Sequence, residues 1–178
     1  MNLANKLTIA RIFLVPVFMI FLLNKIPYGT LIAAGIFTVA AITDTLDGYI
    51  ARSRNQITKF GKFMDPLADK LLVTAALVSL VQMDKLPAWM VVVIISREYI
   101  ISILRAIAAS EGIVIAASWW GKLKTLTQII AIIAILMDNY PFRLIGFPFS
   151  TIALWVALIL TIISGVDYVY LNRSILKQ

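Results

Sequence analysis

The sequence has no cysteine, no histidine and only nine acidic residues among its 178 positions. Without cysteine there are no disulfide bridges and no thiolate nucleophile, and without histidine there is no Ser-His-Asp triad and no histidine-ligated zinc. Only 14% of the residues are charged and 61% are hydrophobic. A soluble domain averages about 25% charged residues and about 45–50% apolar residues. Any chemistry must therefore use carboxylates, basic groups, hydroxyls and metals bound through oxygen, in a chain unlike an ordinary soluble enzyme.

The hydrophobic residues fall in six segments with short breaks between them, and the mean hydropathy is +0.95. The breaks are marked by turn-forming residues at four places: Pro27 and Gly29, Asp84 to Pro87, Gly112, and the Asn139-Tyr140-Pro141 turn. Segments of this kind predict an all-α integral membrane protein, with six transmembrane helices in one bundle and a single domain over 1–178. The expected helices are 8–24, 30–53, 63–82, 87–109, 121–138 and 146–171. A short N-terminal interfacial helix is expected before the first span, which should not be cleaved because no small-residue pattern follows Asn24.

Lysine and arginine are distributed unevenly between the two sides of this arrangement. Twelve of the sixteen belong to the N-terminus, the 52–62 connection, the 97–124 region and the C-terminus. Lys70, near the start of the third helix, is a thirteenth on the same side, and three belong to the other side. The positive-inside rule makes the rich side cytoplasmic. We therefore expect a multi-pass protein of the cell membrane with both termini in the cytoplasm. The net charge of +7 is then explained by anionic lipids, and no nucleic-acid partner is expected.

Four of the nine acids flank one predicted cytoplasmic connection. Asp44 and Asp47 are spaced i, i+3 at the end of the second helix, and Asp65 and Asp69 are spaced i, i+4 at the start of the third, so each pair shares a face. Pro66 leaves open whether Asp65 caps the third helix or lies within it. Four converging carboxylates require cations, and oxygen ligands select Mg²⁺, Mn²⁺ or Ca²⁺. A pair of such ions is typical of phosphoryl transfer, which predicts an active site at the cytoplasmic face.

Small residues accompany these acids at helical spacings. Glycine within a helix costs about 1 kcal/mol relative to alanine and marks close approach by a ligand or by a neighbouring helix. The combined pattern is Asp44-x2-Asp47-Gly48-x2-Ala51-Arg52-x8-Gly61-x3-Asp65-x3-Asp69. It resembles the signature of the CDP-alcohol phosphatidyltransferase family, with the signature positions filled at the right spacing. The resemblance covers nearly the whole chain, and it implies a six-helix membrane core, a cytoplasm-facing site and a homodimer.

The family resemblance also implies a reaction. CDP-diacylglycerol would donate its phosphatidyl group to sn-glycerol 3-phosphate, giving phosphatidylglycerol phosphate and CMP. Asp44, Asp47 and Asp65 would ligand two Mg²⁺ or Mn²⁺ ions, and Asp69 would share one of them and act as the general base. The remaining motif residues would bind the liponucleotide: Gly48, Ala51, Arg52 and Gly61. Arg52 has a second interpretation, as a partner of a carboxylate.

Three further segments resemble the members of the family that make phosphatidylglycerol phosphate: Asn5-x-Leu7-Thr8-x2-Arg11, Arg97-Glu98 with Arg105, and Gly121-Lys122-x-Lys124-Thr125-x2-Gln128. Arg97 and Arg105 lie about 80° apart around a helix, so both can face one pocket, and the arginine fork suits phosphate. Lys124, Thr8 and Arg11 complete the candidates for binding the acceptor phosphate. As an alternative, Arg97, Arg105 and Lys124 anchor their helices at the membrane surface by extending their charged ends into water. For Thr8 and Arg11 the alternative is an amphipathic helix at the membrane interface.

The sequence is also compatible with other functions. The motif describes the donor chemistry, so inositol phosphate, or phosphatidylglycerol as in cardiolipin synthase, is an alternative acceptor. An ion-coupled transporter is the alternative from another class, because acids within membranes often mark ion pathways. We also expect Trp119, Trp120, Tyr168 and Tyr170 to lie in the interfacial aromatic belt.

Overall fold

A computed structural model describes residues 3–24, 26–53, 59–110, 112, 113, 115 and 118–173, and it describes the side chains in these ranges except at 3–7, 44–53, 59–63, 65, 66 and 69. The described chain is helical and contains no strand, which confirms the all-α class. In the described ranges six α-helices run in chain order: α1 Leu3–Leu23, α2 Gly29–Ser53, α3 Lys59–Gln82, α4 Ala88–Ser110, α5 Trp119–Leu136 and α6 Phe149–Leu171. A 3₁₀ helix, Phe142–Ile145, lies between α5 and α6.

The start of α1 differs from the prediction. The helix is continuous from Leu3 to Leu23, so the separate interfacial helix at the N-terminus is wrong for the described residues. Thr8 and Arg11 are 3% and 4% exposed and lie on the same helical stripe as the buried Phe18 and Leu22. The N-terminal turns therefore continue the buried face of α1 and do not form an amphipathic surface helix.

The start of α3 answers the question about Pro66. The helix begins at Lys59, four residues before the expected start, and runs through Asp65 and Pro66. Asp65 therefore lies within α3 and does not cap it. Pro66 is the eighth residue of α3, past the first turn, so its missing N–H removes one backbone hydrogen bond of the helix.

The chain forms two compact units, of which the first comprises residues 1–85 and 136–138. Here α1 packs against α2 and α3. The ring centroids of Phe18 and Phe37 lie 6.1 Å apart in its core. Ala33 and Ala40 are buried on the same face of α2 as Phe37. Small side chains on this face let the backbones of two helices approach closely.

The joint between α1 and α2 depends on Tyr28 and Gly29. Tyr28 has a positive φ of 59°, and a Cβ atom at Gly29 would collide with the carbonyl oxygen of Phe21. Glycine is the residue that fits this backbone approach. The predicted break around Pro27 and Gly29 is therefore confirmed, and its cause is steric.

The second unit comprises residues 86–135 and 139–178. In it α4 packs against α6, and the buried positions of α6 lie along one stripe of the helix: Leu154, Ala157, Leu158, Thr161, Ser164 and Tyr168. The side chain of Asn139 holds the turn before α6, since its Nδ2 donates to the carbonyl of Phe147 at 2.7 Å and its Oδ1 accepts from the Ser150 N–H at 2.9 Å. The predicted turn at 139–141 is therefore confirmed.

Within the described residues two helices, α5 and α6, are long and apolar enough to cross a membrane, and shorter apolar stretches occupy 8–23, 29–43 and 70–82. Large hydrophobic side chains are exposed on every α-helix, for example Phe13, Leu31, Val78, Val92, Leu126 and Ile159. Exposed apolar surface of this extent is typical of helices that face lipid. These features support membrane association, and the six-span topology and single-domain organisation stay predictions.

Candidate functional site

The predicted metal ligands lie on helical backbone. Asp44 and Asp47 belong to α2, and Asp65 and Asp69 belong to α3, so the i, i+3 and i, i+4 relationships hold. Gly48, Ala51 and Arg52 follow on α2, and Gly61 precedes on α3. The side chains of these eight motif positions lie outside the described residues, so the convergence of their oxygens stays a prediction. Among the described side chains no group of three or more acids is placed to hold a metal ion.

A charged cluster joins α4 to α5 in the second unit. Glu98 Oε1 accepts a hydrogen bond from Arg97 Nη1 at 3.1 Å and a second one from Lys124 Nζ. The Lys124 side chain is 3% exposed, and the Arg97 and Glu98 side chains are part-buried. One carboxylate therefore serves two cations, and the three side chains together carry one net positive charge. We refer to Arg97, Glu98 and Lys124 as the α4–α5 cluster.

Glycines of two helices border Arg97. A Cβ atom at Gly165 of α6 would lie 3.2 Å from Arg97 Cγ, and one at Gly121 of α5 would lie 3.7 Å from Arg97 Nη2. The first distance is tighter than ordinary packing and the second is ordinary contact. The absence of a side chain at Gly165 thus gives the stem of Arg97 its room.

The start of α5 is set by a local capping bond. Ser118 Oγ accepts a hydrogen bond from the Gly121 N–H at 3.1 Å, the N-cap interaction that satisfies one of the free donors at a helix N-terminus. This cap fixes the first turn of α5, and Lys124 follows in the second turn. The Gly121-Lys122-x-Lys124 segment is therefore placed by Ser118, which sequence reasoning did not single out.

Arg105 has a different partner from Arg97. Its Nε donates to the Tyr168 hydroxyl at 2.8 Å, and its guanidinium carbon lies 5.4 Å from the Tyr168 ring centroid. Eight residues of helix separate Arg97 and Arg105 by about 12 Å along the axis, and no described contact joins Arg105 to the α4–α5 cluster. The two arginines were predicted to share one pocket, and that pocket stays a prediction.

The same contact corrects the expectation for Tyr168. It is 2% exposed and packs with Ile101 and Leu104, so its assignment to the interfacial belt is wrong. Trp119, Trp120 and Tyr170 are exposed, as a belt position requires. Tyr168 is buried because it lies on the stripe of α6 that faces α4.

Two polar groups near the α4–α5 cluster lack hydrogen-bond partners among the described residues. These are Arg97 Nε and the side-chain amide of Gln128, whose nitrogen and oxygen are both buried. Gln128 lies one turn after Lys124 on α5 and is 3% exposed. Sequence reasoning included Gln128 in a motif without a role, and its apolar surroundings at Ile129–Leu136 were the available signal.

Comparisons with known proteins cover nearly the whole chain. The sequence model of CDP-alcohol phosphatidyltransferases matches residues 1–163. The chain is 51% identical, over 99% of its length and 97% of the relative, to the CDP-diacylglycerol–glycerol-3-phosphate 3-phosphatidyltransferase of Bacillus subtilis (strain 168). It is 41% identical, over 97% of its length and 94% of the relative, to the enzyme of that name from Haemophilus influenzae.

A third relative carries a different form of the name. The chain is 41% identical, over 94% of its length and 80% of the relative, to a probable phosphatidylglycerophosphate synthase of Mycobacterium tuberculosis. The three alignments and the family match span both compact units. The chain belongs to the CDP-alcohol phosphatidyltransferase family.

Proposed function

We propose that this protein transfers the phosphatidyl group of CDP-diacylglycerol to sn-glycerol 3-phosphate, giving phosphatidylglycerol phosphate and CMP. The observation that carries the proposal is the 51% identity, along nearly the whole of both chains, to a relative whose name states this reaction. The complete aspartate motif supports the donor half of the reaction, and the α4–α5 cluster supports a phosphorylated acceptor. An ion-coupled transporter has no comparable support.

The donor set fits a hard divalent cation. The motif offers only carboxylate oxygens, and the chain contains no cysteine or histidine that would select a softer metal. Asp44, Asp47 and Asp65 would hold two Mg²⁺ or Mn²⁺ ions, with Asp69 sharing one of them. Bound in this way, the ions would neutralise the negative charge of the pyrophosphate.

The chain's own residues would then position the two substrates and move one proton. Asp69 would accept the proton of the attacking hydroxyl of glycerol 3-phosphate. A new bond forms between that oxygen and the β-phosphorus, the bond to the bridging oxygen breaks, and CMP leaves with the electron pair. Gly48, Ala51 and Gly61 would contact the cytidine nucleotide, and Arg52 would neutralise a phosphate. Positioning and charge neutralisation supply most of the catalysis in phosphoryl transfer.

The α4–α5 cluster would bind the acceptor phosphate. Glycerol 3-phosphate carries nearly two negative charges, and the cluster carries one positive charge together with N–H donors on Arg97 and Lys124. Charge-assisted bonds of this kind are roughly twice as strong as neutral ones. Arg105 is proposed to complete the acceptor site, and the assignment of Thr8 and Arg11 to the acceptor phosphate stays a prediction from the sequence.

The proposal is tested with the purified protein, CDP-diacylglycerol and a panel of labelled acceptors. We expect CMP release and a phosphatidylglycerol phosphate product with glycerol 3-phosphate. Faster turnover with inositol phosphate, or with phosphatidylglycerol as in cardiolipin synthase, would replace the proposed acceptor while keeping the family chemistry. An absence of CMP release with every acceptor would refute the donor assignment.

We further propose six membrane spans, a cell-membrane location, cytoplasmic termini and a homodimer. The support is the positive-inside distribution and, for the dimer, the family. Because the chain lacks cysteine, single cysteines report topology without background. A membrane-impermeant maleimide should label L144C in intact cells and label R173C only after permeabilisation; both native residues are exposed. The reverse pattern would invert the topology, and single-site crosslinking would test the dimer.

A further inference from the structure

The buried amide of Gln128 is an unexplained polar group of the second unit. Its Nε2 and Oε1 find no hydrogen-bond partner among the described residues, and the residue is 3% exposed. A buried polar group without a partner is destabilising, because it has lost its hydrogen bonds to water. Such groups in folded proteins call for an explanation, and a ligand that supplies the missing partners is one.

The position of Gln128 relates it to the α4–α5 cluster. Gln128 and Lys124 are spaced i, i+4 on α5, so they share a face about 6 Å apart along the axis. Lys124 is bound to Glu98, which also binds Arg97. Arg97 Nε likewise has no described hydrogen-bond partner. Each of the two helices that the cluster joins therefore carries a buried polar group without a described hydrogen-bond partner.

The chemistry of the amide indicates what it would bind. An amide offers two donors and an acceptor oxygen but no charge, whereas the cluster beside it offers positive charge. A hydroxyl both donates and accepts hydrogen bonds, so it can accept from the amide nitrogen or donate to the amide oxygen. A ligand that carries a phosphate at one end and a hydroxyl on the next carbon would match the cluster and the amide together.

We propose that Gln128 is a specificity-determining residue that binds the C2 hydroxyl of glycerol 3-phosphate while the α4–α5 cluster holds its phosphate. This proposal rests on the proposed function. A site that is built to bond a hydroxyl rejects an analogue without it, because the buried amide is then left unpaired. Gln128 would thereby distinguish glycerol 3-phosphate from phosphorylated alcohols of the same length.

The test compares two acceptors that differ in one hydroxyl. 3-Hydroxypropyl phosphate keeps the phosphate and the primary hydroxyl of glycerol 3-phosphate and lacks the C2 hydroxyl. We expect Gln128→Leu to lower kcat/KM for glycerol 3-phosphate by about 10- to 100-fold, the range of one lost buried bond. The value for 3-hydroxypropyl phosphate should stay within about 3-fold, since that acceptor cannot use the amide.

A matched control comes from the neighbouring residue. Thr127 bonds only backbone carbonyls of its own helix in the described contacts, so Thr127→Val should leave the ratio of the two acceptors unchanged. Gln128→Leu should also raise the melting temperature of the ligand-free protein, because it removes a buried amide that has no described partner. A structural role for Gln128 would lower it.

The outcomes separate the inference from the function on which it rests. If the wild type does not use glycerol 3-phosphate, the proposed function fails. If the wild type uses it and Gln128→Leu reduces both acceptors equally, or neither, Gln128 does not bind the C2 hydroxyl. A collapse of the preference between the two acceptors is the result that supports the proposal.

Discussion

Gly165 of α6 lies against the stem of Arg97 of α4, so that a Cβ atom at position 165 would come within 3.2 Å of Arg97 Cγ. This relationship makes the position of one proposed phosphate ligand depend on a residue 68 positions away. The substitution Gly165→Ala would move Arg97 by a few tenths of an ångström.

We expect Gly165→Ala to raise the KM for glycerol 3-phosphate by about 3- to 10-fold, because displacements of about 1 Å in a site can cost about 100-fold. Gly121→Ala is the control, since its Cβ would meet Ser118 and Arg97 at ordinary contact distances. Steady-state kinetics with both substrates measures the difference. Equal effects of the two variants would mean that Arg97 is not held by this contact.

Glu98 neutralises the buried ammonium of Lys124, and this pairing predicts a stability change. We expect Glu98→Gln to lower the free energy of unfolding by about 1–3 kcal/mol, the range for bonds to charged groups. The double variant E98Q/K124M should recover part of the loss, because methionine fills the site without a charge. Denaturation of the purified protein in detergent measures both; a double variant less stable than E98Q would contradict the pairing.

Arg105 has two candidate roles: it binds the acceptor phosphate, or it only bonds the Tyr168 hydroxyl within the fold. If Arg105 binds the acceptor, Arg105→Ala should raise the KM for glycerol 3-phosphate more than the KM for CDP-diacylglycerol. Tyr168→Phe removes the hydroxyl that accepts from Arg105 Nε and should lower stability by about 0.5–1.5 kcal/mol. Equal changes in the two KM values would place Arg105 outside the acceptor site.

Asp69 is proposed as the general base, which predicts a severe loss of turnover. We expect Asp69→Asn to lower kcat by at least about 100-fold, the lower range for a positioned base, while the protein stays folded. Asp84→Asn is the matched control, because Asp84 is exposed in a turn with a positive φ of 56° that asparagine also adopts. Near-normal turnover of D69N would exclude the base role.

Removal of divalent cations tests the donor set of α2 and α3. We expect EDTA to abolish CMP release, and Mg²⁺ or Mn²⁺ to restore it, because the proposed ligands are all carboxylates. Zn²⁺ should restore it poorly, since the motif has no nitrogen or sulfur ligand. Activity that persists after exhaustive chelation would remove the metals from the mechanism.

Several sequence predictions depend on local rules, and these were confirmed. The breaks at Gly29, Pro87 and Asn139 follow from backbone preferences of single residues. The family followed from an eight-position motif within 26 residues. Predictions that depended on distant partners were less successful. Tyr168 was wrongly assigned to the lipid interface, because its sequence neighbours do not show that it faces α4.

The sequence by itself determined the helical class, the order of the helices, the lack of cysteine and histidine as ligands, and the family, because each depends on composition or on residues within a few turns of one another. The tertiary structure alone decided that Glu98 serves both Arg97 and Lys124, that Gly165 gives Arg97 its room and that Tyr168 is buried against Arg105. The partners on different helices are 26 positions apart for Glu98 and Lys124, 68 for Arg97 and Gly165, and 63 for Arg105 and Tyr168. Only the packing of the helices brings residues so far apart in the sequence into contact.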